Sequence, residues 1–220
     1  MSEPTPIGAE LGDPQQLVAR LRQAAARAPR RPAPPPPTEA VPTLGAPPRV
    51  PPRYHARLDD LEQTGAVKTA RVWLDRVREQ PDHDSGLLIL GLPGRGKSLI
   101  AGALAVEMGA PQFAQFWPTP DLIRAMQGDI GQRDRIPVGE RILRRRLLVL
   151  DDIGAEQATD WRVGELNGLL EAVYSRRMLL VATSNLTLDQ FGEHLGERAV
   201  SRLHEMTDLV VVDGPDRRKA

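Results

Sequence analysis

Eight residues pose the chemical question. Gly91-Leu92-Pro93-Gly94-Arg95-Gly96-Lys97-Ser98 fits G-x-x-x-x-G-K-[ST] at every fixed position. In that pattern the glycines let the main chain wrap a phosphate with its N–H groups pointing inward, and the helix that follows sets its positive end at the same spot. The lysine reaches the β- and γ-phosphates, and the serine hydroxyl suits Mg²⁺. Gly91, Leu92, Pro93, Gly94, Arg95, Gly96, Lys97, Ser98 and Leu99 are therefore the expected nucleotide contacts. No N-K-x-D guanine reader occurs, which favours ATP over GTP.

Two further stretches carry groups that could act on that phosphate. Leu147-Leu148-Val149-Leu150 is a buried-strand pattern with Asp151 and Asp152 at its carboxyl end, the end where open α/β sheets bind ligands. Asp151 is assigned to Mg²⁺, together with Ser98, and Asp152 to the attacking water. Asn185 closes the run Met178 to Asn185 in the same way. Its amide suits either the water and γ-phosphate or the N-cap of the next helix, a role Thr187 also fits.

These residues need a scaffold, and the apolar patterning supplies one. Gly86 to Gly91 is a short, almost wholly apolar run, as expected of a strand covered on both faces. Similar runs at Gln112–Trp117, Leu147–Asp152, Met178–Asn185 and Leu209–Asp213 alternate with helical patterns at 58–79, about 97–108, about 119–127 and 160–175, with two short helices near Asp189 and Glu197. That alternation predicts βαβ units, a parallel sheet and an α/β fold of three layers. Phe113 and Phe116 are expected in its core.

Composition narrows the class. The chain has 220 residues, 29 basic and 29 acidic side chains and no cysteine. Zero net charge argues against bulk polyanion binding and for local contacts. Lack of cysteine removes disulfides and thiolate metal sites. The amino terminus has no secretory pattern and no run approaches bilayer length, so a cytoplasmic protein without a membrane partner is expected. Residues 1–28 hold a helix opened by Asp13-Pro14, with Leu17, Leu21, Ala24 and Ala28 at helical spacing, either a frayed tail or a docking segment. Residues 29–52 are a proline-rich, semi-rigid linker, and residues 53–220 form the folded domain.

With these pieces in order, the chain resembles the AAA+ ATPases of the replicative helicase loader group, the DnaC/IstB-like proteins, from Pro51 to the C-terminus. PPRY precedes the domain. GLPGRGKS is the Walker A loop, and LLVLDDIGAEQATDW resembles the Walker B strand and the stretch down to Glu156 and Trp161. LLVATSN resembles sensor 1, GERAVSRLHEM the box with an arginine finger, and GPDRR the G-x-D-x-R segment of sensor 2. The resemblance implies a P-loop AAA+ αβα sandwich, here with a very short or absent C-terminal lid. It implies Asn185 as sensor 1, Arg202 as a finger acting in trans within a homo-oligomer, and Arg218 as sensor 2 with Arg217 its close rival. Arg95 departs from the family, which usually has a small hydroxyl residue there.

The resemblance also implies a function: an ATPase that binds the replicative hexameric helicase and helps place it on single-stranded DNA. In such loaders the region between the second and third strands helps contact DNA. Here it carries Arg124, Arg133, Arg135, Arg141, Arg144, Arg145 and Arg146 against Asp129, Asp134 and Glu140. A solvated face or an intersubunit contact explains these arginines as well as DNA does. Two alternatives stay open: a transposition helper acting on duplex DNA, and a nucleotide-gated adaptor with little turnover.

Overall fold

The computed structural model describes residues 50–80, 83–129, 136–155 and 159–217. The expected amino-terminal helix, the expected linker before Val50, and Arg133, Asp134, Arg135, Glu156 and Arg218 lie outside them.

Five strands form one parallel sheet: β1 (Gly86–Leu90), β2 (Ala114–Pro118), β3 (Leu147–Ile153), β4 (Leu179–Ser184) and β5 (Thr207–Val211), in the order β2-β3-β4-β1-β5. Side chains alternate between faces along each strand. Leu87 and Ile89 join one apolar cluster with α1 (Gly65–Glu79) and α2 (Lys97–Glu107). Leu88 and Leu90 join a second, with α3 (Thr119–Gly128), α4 (Val138–Ile142), α5 (Asp160–Ser175), α6 (Leu188–Leu195) and α7 (Glu197–Met206). Both faces are covered, which is why β1 reads as an unbroken apolar run and why three layers result. Among the described residues no helix is long and apolar enough to cross a membrane.

The helix expected over 58–79 begins instead at Gly65. Leu58–Asp60 form a separate 3₁₀ turn, and Leu58 is wholly buried. Its N–H goes to Glu107 Oε1 at 2.9 Å, and Gln63 Nε2 caps the carbonyls of Leu58 and Leu61 at 3.1 and 2.8 Å. Those bonds replace helical ones. Thr64 then caps α1 by accepting from the Val67 N–H. Val72, although apolar and within that helix, is exposed.

Phe113 is also a correction. It is 65% exposed, whereas Phe116 is fully buried. The strand starts one residue later than Phe113, whose N–H closes the turn from Gly109, so only Phe116 sits in the sheet's packed alternation. α4 was not foreseen.

The Glu107 carboxylate ties the layer over the phosphate loop together. Its side chain is fully buried, with Arg71 Nη1 at 3.1 Å and Arg78 Nη2 at 3.3 Å. Burial alone would raise its pKa, but the Leu58 N–H and the Arg71 and Arg57 cations outweigh that and hold it below the ordinary value. Nearby, a Cβ on Gly102 would collide with the Tyr54 carbonyl, so glycine lets the entering chain lie on α2.

Candidate functional site

The phosphate loop runs from the tip of β1 into α2. Gly94 and Gly96 hold φ of +79° and +96°, which only glycine adopts without strain. Gly96 caps α2 without a side chain, so the amide end of the helix faces the loop's concave side. Lys97 is buried, and its Nζ donates to the carbonyls of Gly91 and Leu92 at 2.6 and 2.9 Å and to Asn185 Oδ1 at 2.6 Å.

Asp151 and Asp152 end the neighbouring strand. Consecutive strand residues point to opposite faces, so two adjacent acids serve one site only if the alternation breaks. It does: the β3–β4 register shifts between Leu150 and Ile153, and Asp152 takes a left-handed φ of +62°. Thr183 of β4 holds the break. Its buried hydroxyl donates to Asp151 Oδ1 at 2.8 Å and accepts the Asp152 N–H at 2.8 Å. Thr119, also fully buried, donates to the Asp151 carbonyl at 3.0 Å. Burial pushes the Asp151 carboxyl up, opposed by hydrogen bonds from Thr183 and Ser98.

Asn185 joins the two halves. Its Oδ1 accepts from Lys97 and its Nδ2 donates to Asp152 Oδ1 at 2.6 Å. The N-cap role falls to Thr187, which forms a capping box with Gln190. Asn185 is thereby left to the site.

The segment after β5 lies against the same loop. Val212 continues the pairing with its N–H on the Leu90 carbonyl at 2.7 Å, and the Arg217 N–H binds the Gly94 carbonyl at 3.0 Å. Arg95 bonds Asp213 Oδ1 at 2.8 Å, which accounts for the charge the family does not usually place there. A Cβ on Gly96 would stand 3.5 Å from Arg217 Cδ and Nε, so this side chain lies over the loop, held by Glu62 Oε2 at 2.8 Å. Of the two arginines expected here, Arg217 is the one the described residues bring to the loop.

Arg202 stands elsewhere, on α7. Its Nε lies 3.3 Å from Glu171 Oε2 and its Nη1 3.4 Å from Glu205 Oε1, and its Cζ sits 4.4 Å over the Tyr174 ring. All these partners belong to α5 and α7.

The basic stretch is partly spoken for. Arg124 pairs with Asp121, Arg145 binds the Gln112 carbonyl at 2.8 Å and Arg146 the Val77 carbonyl at 3.4 Å. Arg144 is exposed. Arg144 to Arg146 precede β3, at the end of the sheet opposite the phosphate loop.

A magnesium nucleotide fits these residues. Loop amides and Lys97 match a triphosphate, and one buried carboxylate with one hydroxyl, hydrogen-bonded to each other, match a small hard cation that keeps water and phosphate as its other ligands. Sequence reasoning missed Thr183, Thr119, Glu62 and Asp213. For Thr183 a signal existed: a hydroxyl residue interrupting an apolar run, two positions before Asn185.

Known proteins are similar to this chain in sequence and fold. The family described as IstB-like ATP binding protein matches residues 68–218. The replicative helicase loader DnaI of Bacillus subtilis (strain 168) is 25% identical over 147 residues, 60% of this chain and 47% of that protein. YqaM of the same organism, described as uncharacterized, is 26% identical over 144 residues, 62% of this chain and 45% of its own length. The chain thus spans about half the length of these curated relatives. The DnaC helicase loader structure superposes with a TM-score of 0.66 at 26% identity, covering 74% of this chain and 100% of that one. AMPPCP-bound DnaA from Aquifex aeolicus shares the fold, with a TM-score of 0.64 at 17% identity over 77% of this chain and 53% of its own. A parallel five-stranded sheet in AAA+ order, a glycine loop closed on a buried lysine, and a family match over most of its length make one statement: the chain belongs to the IstB-like ATP-binding family of DnaC/IstB-type AAA+ ATPases.

Proposed function

We propose that this protein is an ATP-hydrolysing helicase loader, which binds the replicative helicase in the cytoplasm and helps place it on single-stranded DNA. The observation that carries the hydrolytic part is the chain Lys97–Asn185–Asp152, with both links at 2.6 Å. It connects the group that grips the γ-phosphate to the group that orients water. The loader part rests on the likeness to DnaI and DnaC.

In this reading the Gly91–Leu99 loop cradles the phosphates. Lys97 already spends its donors on two loop carbonyls and on Asn185. A γ-phosphate takes the place of the Asn185 oxygen, because the lysine can turn one N–H toward it while the amide stays on Asp152. Asn185 keeps Asp152 through its Nδ2, so occupancy of the γ-position is passed to the acid. Asp152 accepts a hydrogen bond from the attacking water, and Thr183, through the Asp152 N–H, keeps the carboxylate aimed. Ser98 and Asp151 would hold Mg²⁺, which would supply positive charge to offset the charge of the phosphates. Arg217 or Arg218 contacts the same phosphates from the C-terminal segment. Arg202 completes the site of a second copy, where a guanidinium stabilises the charge that develops on the γ-oxygens. Residues 1–28 are the segment proposed to dock the helicase.

Capture of purified hexameric helicase by the full chain tests the loader reading. Binding that is lost when residues 1–28 are removed supports it, and no binding by the full chain contradicts it. The family description favours a second reading, a transposition helper. Preference for duplex over single-stranded DNA in salt-dependent binding selects that reading.

A further inference from the structure

We infer that Glu171 is a positioning residue for Arg202: in the lone subunit it holds the guanidinium, and it gives it up when a second copy presents its nucleotide. The inference rests on the proposal that Arg202 acts in trans. It deepens that proposal by naming what restrains the side chain beforehand.

The spacing sets up the device. Asn167, Glu171 and Tyr174 share one face of α5, and Arg198, Arg202 and Glu205 share the facing side of α7. Glu171 takes Arg202 Nε at 3.3 Å and Glu205 takes Nη1 at 3.4 Å. A two-pronged grip on a phosphate through Nε and Nη2 therefore requires Glu171 to let go. A carboxylate left beside the guanidinium would also repel the incoming triphosphate and cancel the charge that the reaction uses.

Three features make the hold easy to exchange. The bonds are long, single-pronged and partly exposed, with side-chain exposures of 27% for Arg202 and 38% for Glu171; such pairs are weak. The cage stays satisfied after release, because Arg198 Nη2 already stands 3.5 Å from Glu171 Oε2 and Tyr174 donates its hydroxyl to Glu205. There is also room to move: a cavity of about 360 Å³ opens beside Arg202, lined by Asn167, Leu170, Glu171 and Ala199. The Asn167 Oδ1 is buried without a partner, an acceptor ready for a guanidinium in transit or for a group from the other copy.

ATP turnover by the full chain is measured against protein concentration for the parent, Glu171→Gln, Arg202→Ala and the double variant. Glutamine keeps the shape and removes the charge. Glu171→Gln is expected to lower the half-maximal protein concentration by about three- to tenfold, with unchanged nucleotide affinity, and the double variant is expected to be as inactive as Arg202→Ala. A folding defect cannot mimic a lowered threshold. If Arg202→Ala hydrolyses ATP like the parent, the trans-acting role itself is wrong. If Arg202→Ala is inactive while Glu171→Gln has the parent's threshold or a higher one, the role stands and the restraint by Glu171 is wrong.

Discussion

Two regions of this molecule carry ionisable groups suited to phosphate chemistry, and they are built in opposite ways. At the tips of β1, β3 and β4, Lys97, Asp151 and Thr183 are buried and, apart from the Lys97 bond to the exposed Asn185, are joined by bonds of 2.6 to 2.9 Å to atoms fixed in the sheet or the loop. On the α5–α7 face, Arg202, Glu171 and Glu205 are partly exposed and meet at 3.3 to 3.4 Å. Buried, short bonds hold a geometry in advance; exposed ion pairs contribute little and are screened by salt. On the proposed reading, the contrast is between a half-site that the subunit fixes for itself and an arginine it leaves adjustable until a second copy arrives.

The largest effect expected comes from breaking the rigid half. Lys97→Ala removes the ammonium proposed to neutralise the γ-phosphate and frees Asn185 from its anchor. Nucleotide affinity and turnover should each fall about a hundredfold or more, read by nucleotide titration and phosphate release. Retained binding would mean that the loop does not hold the triphosphate. Thr183→Val keeps the side chain's shape and removes the hydroxyl that pins both acids. Turnover should fall roughly tenfold to a hundredfold with affinity within about threefold of the parent, and Thr183→Ser should restore it. A parent-like rate in the valine variant would show that the strand break holds itself.

Glu107→Gln tests whether the scaffold under the rigid half is also rigid. The carboxylate binds the Leu58 N–H and Arg71, with Arg78 at 3.3 Å, and its loss should cost about 1–3 kcal/mol in unfolding free energy. Its folded pKa is depressed, so the contribution is complete above the unfolded glutamate value, about 4.3, and is lost as pH falls through the folded value. The parent's advantage in denaturant melts should therefore be full at pH 7 and shrink below about pH 4. A gap that stayed constant across that range would assign the stabilisation to packing instead of charge.

How much of this was legible depended on distance along the chain. The phosphate loop is local: its glycines, lysine and serine carry the geometry in their own spacing, and α5 spans 160–175 as its periodicity predicts. The start of α1 was not legible, because what stops a helix at Leu58 is a bond to Glu107, 49 residues away. The two acids were readable from their strand, but not the break that lets both face one site, since that depends on Thr183 in another strand, with its hydroxyl 2.8 Å from both. Arg95 posed a question whose answer lay 118 residues on, at Asp213. Phe113 was misread because aromatic character signals burial only inside the strand, and the strand starts at Ala114.

The central claim is that hydrolysis joins one copy's loop to another copy's arginine, and mixing two dead variants tests it directly. Lys97→Ala keeps Arg202 but should not hold ATP; Arg202→Ala should hold ATP but lends no guanidinium. Each alone should be nearly silent. An equal mixture should recover hydrolysis to about a quarter of the parent's rate, the statistical share of interfaces that pair a competent loop with a competent arginine. A mixture no more active than its components, under conditions where the parent assembles, would contradict the account.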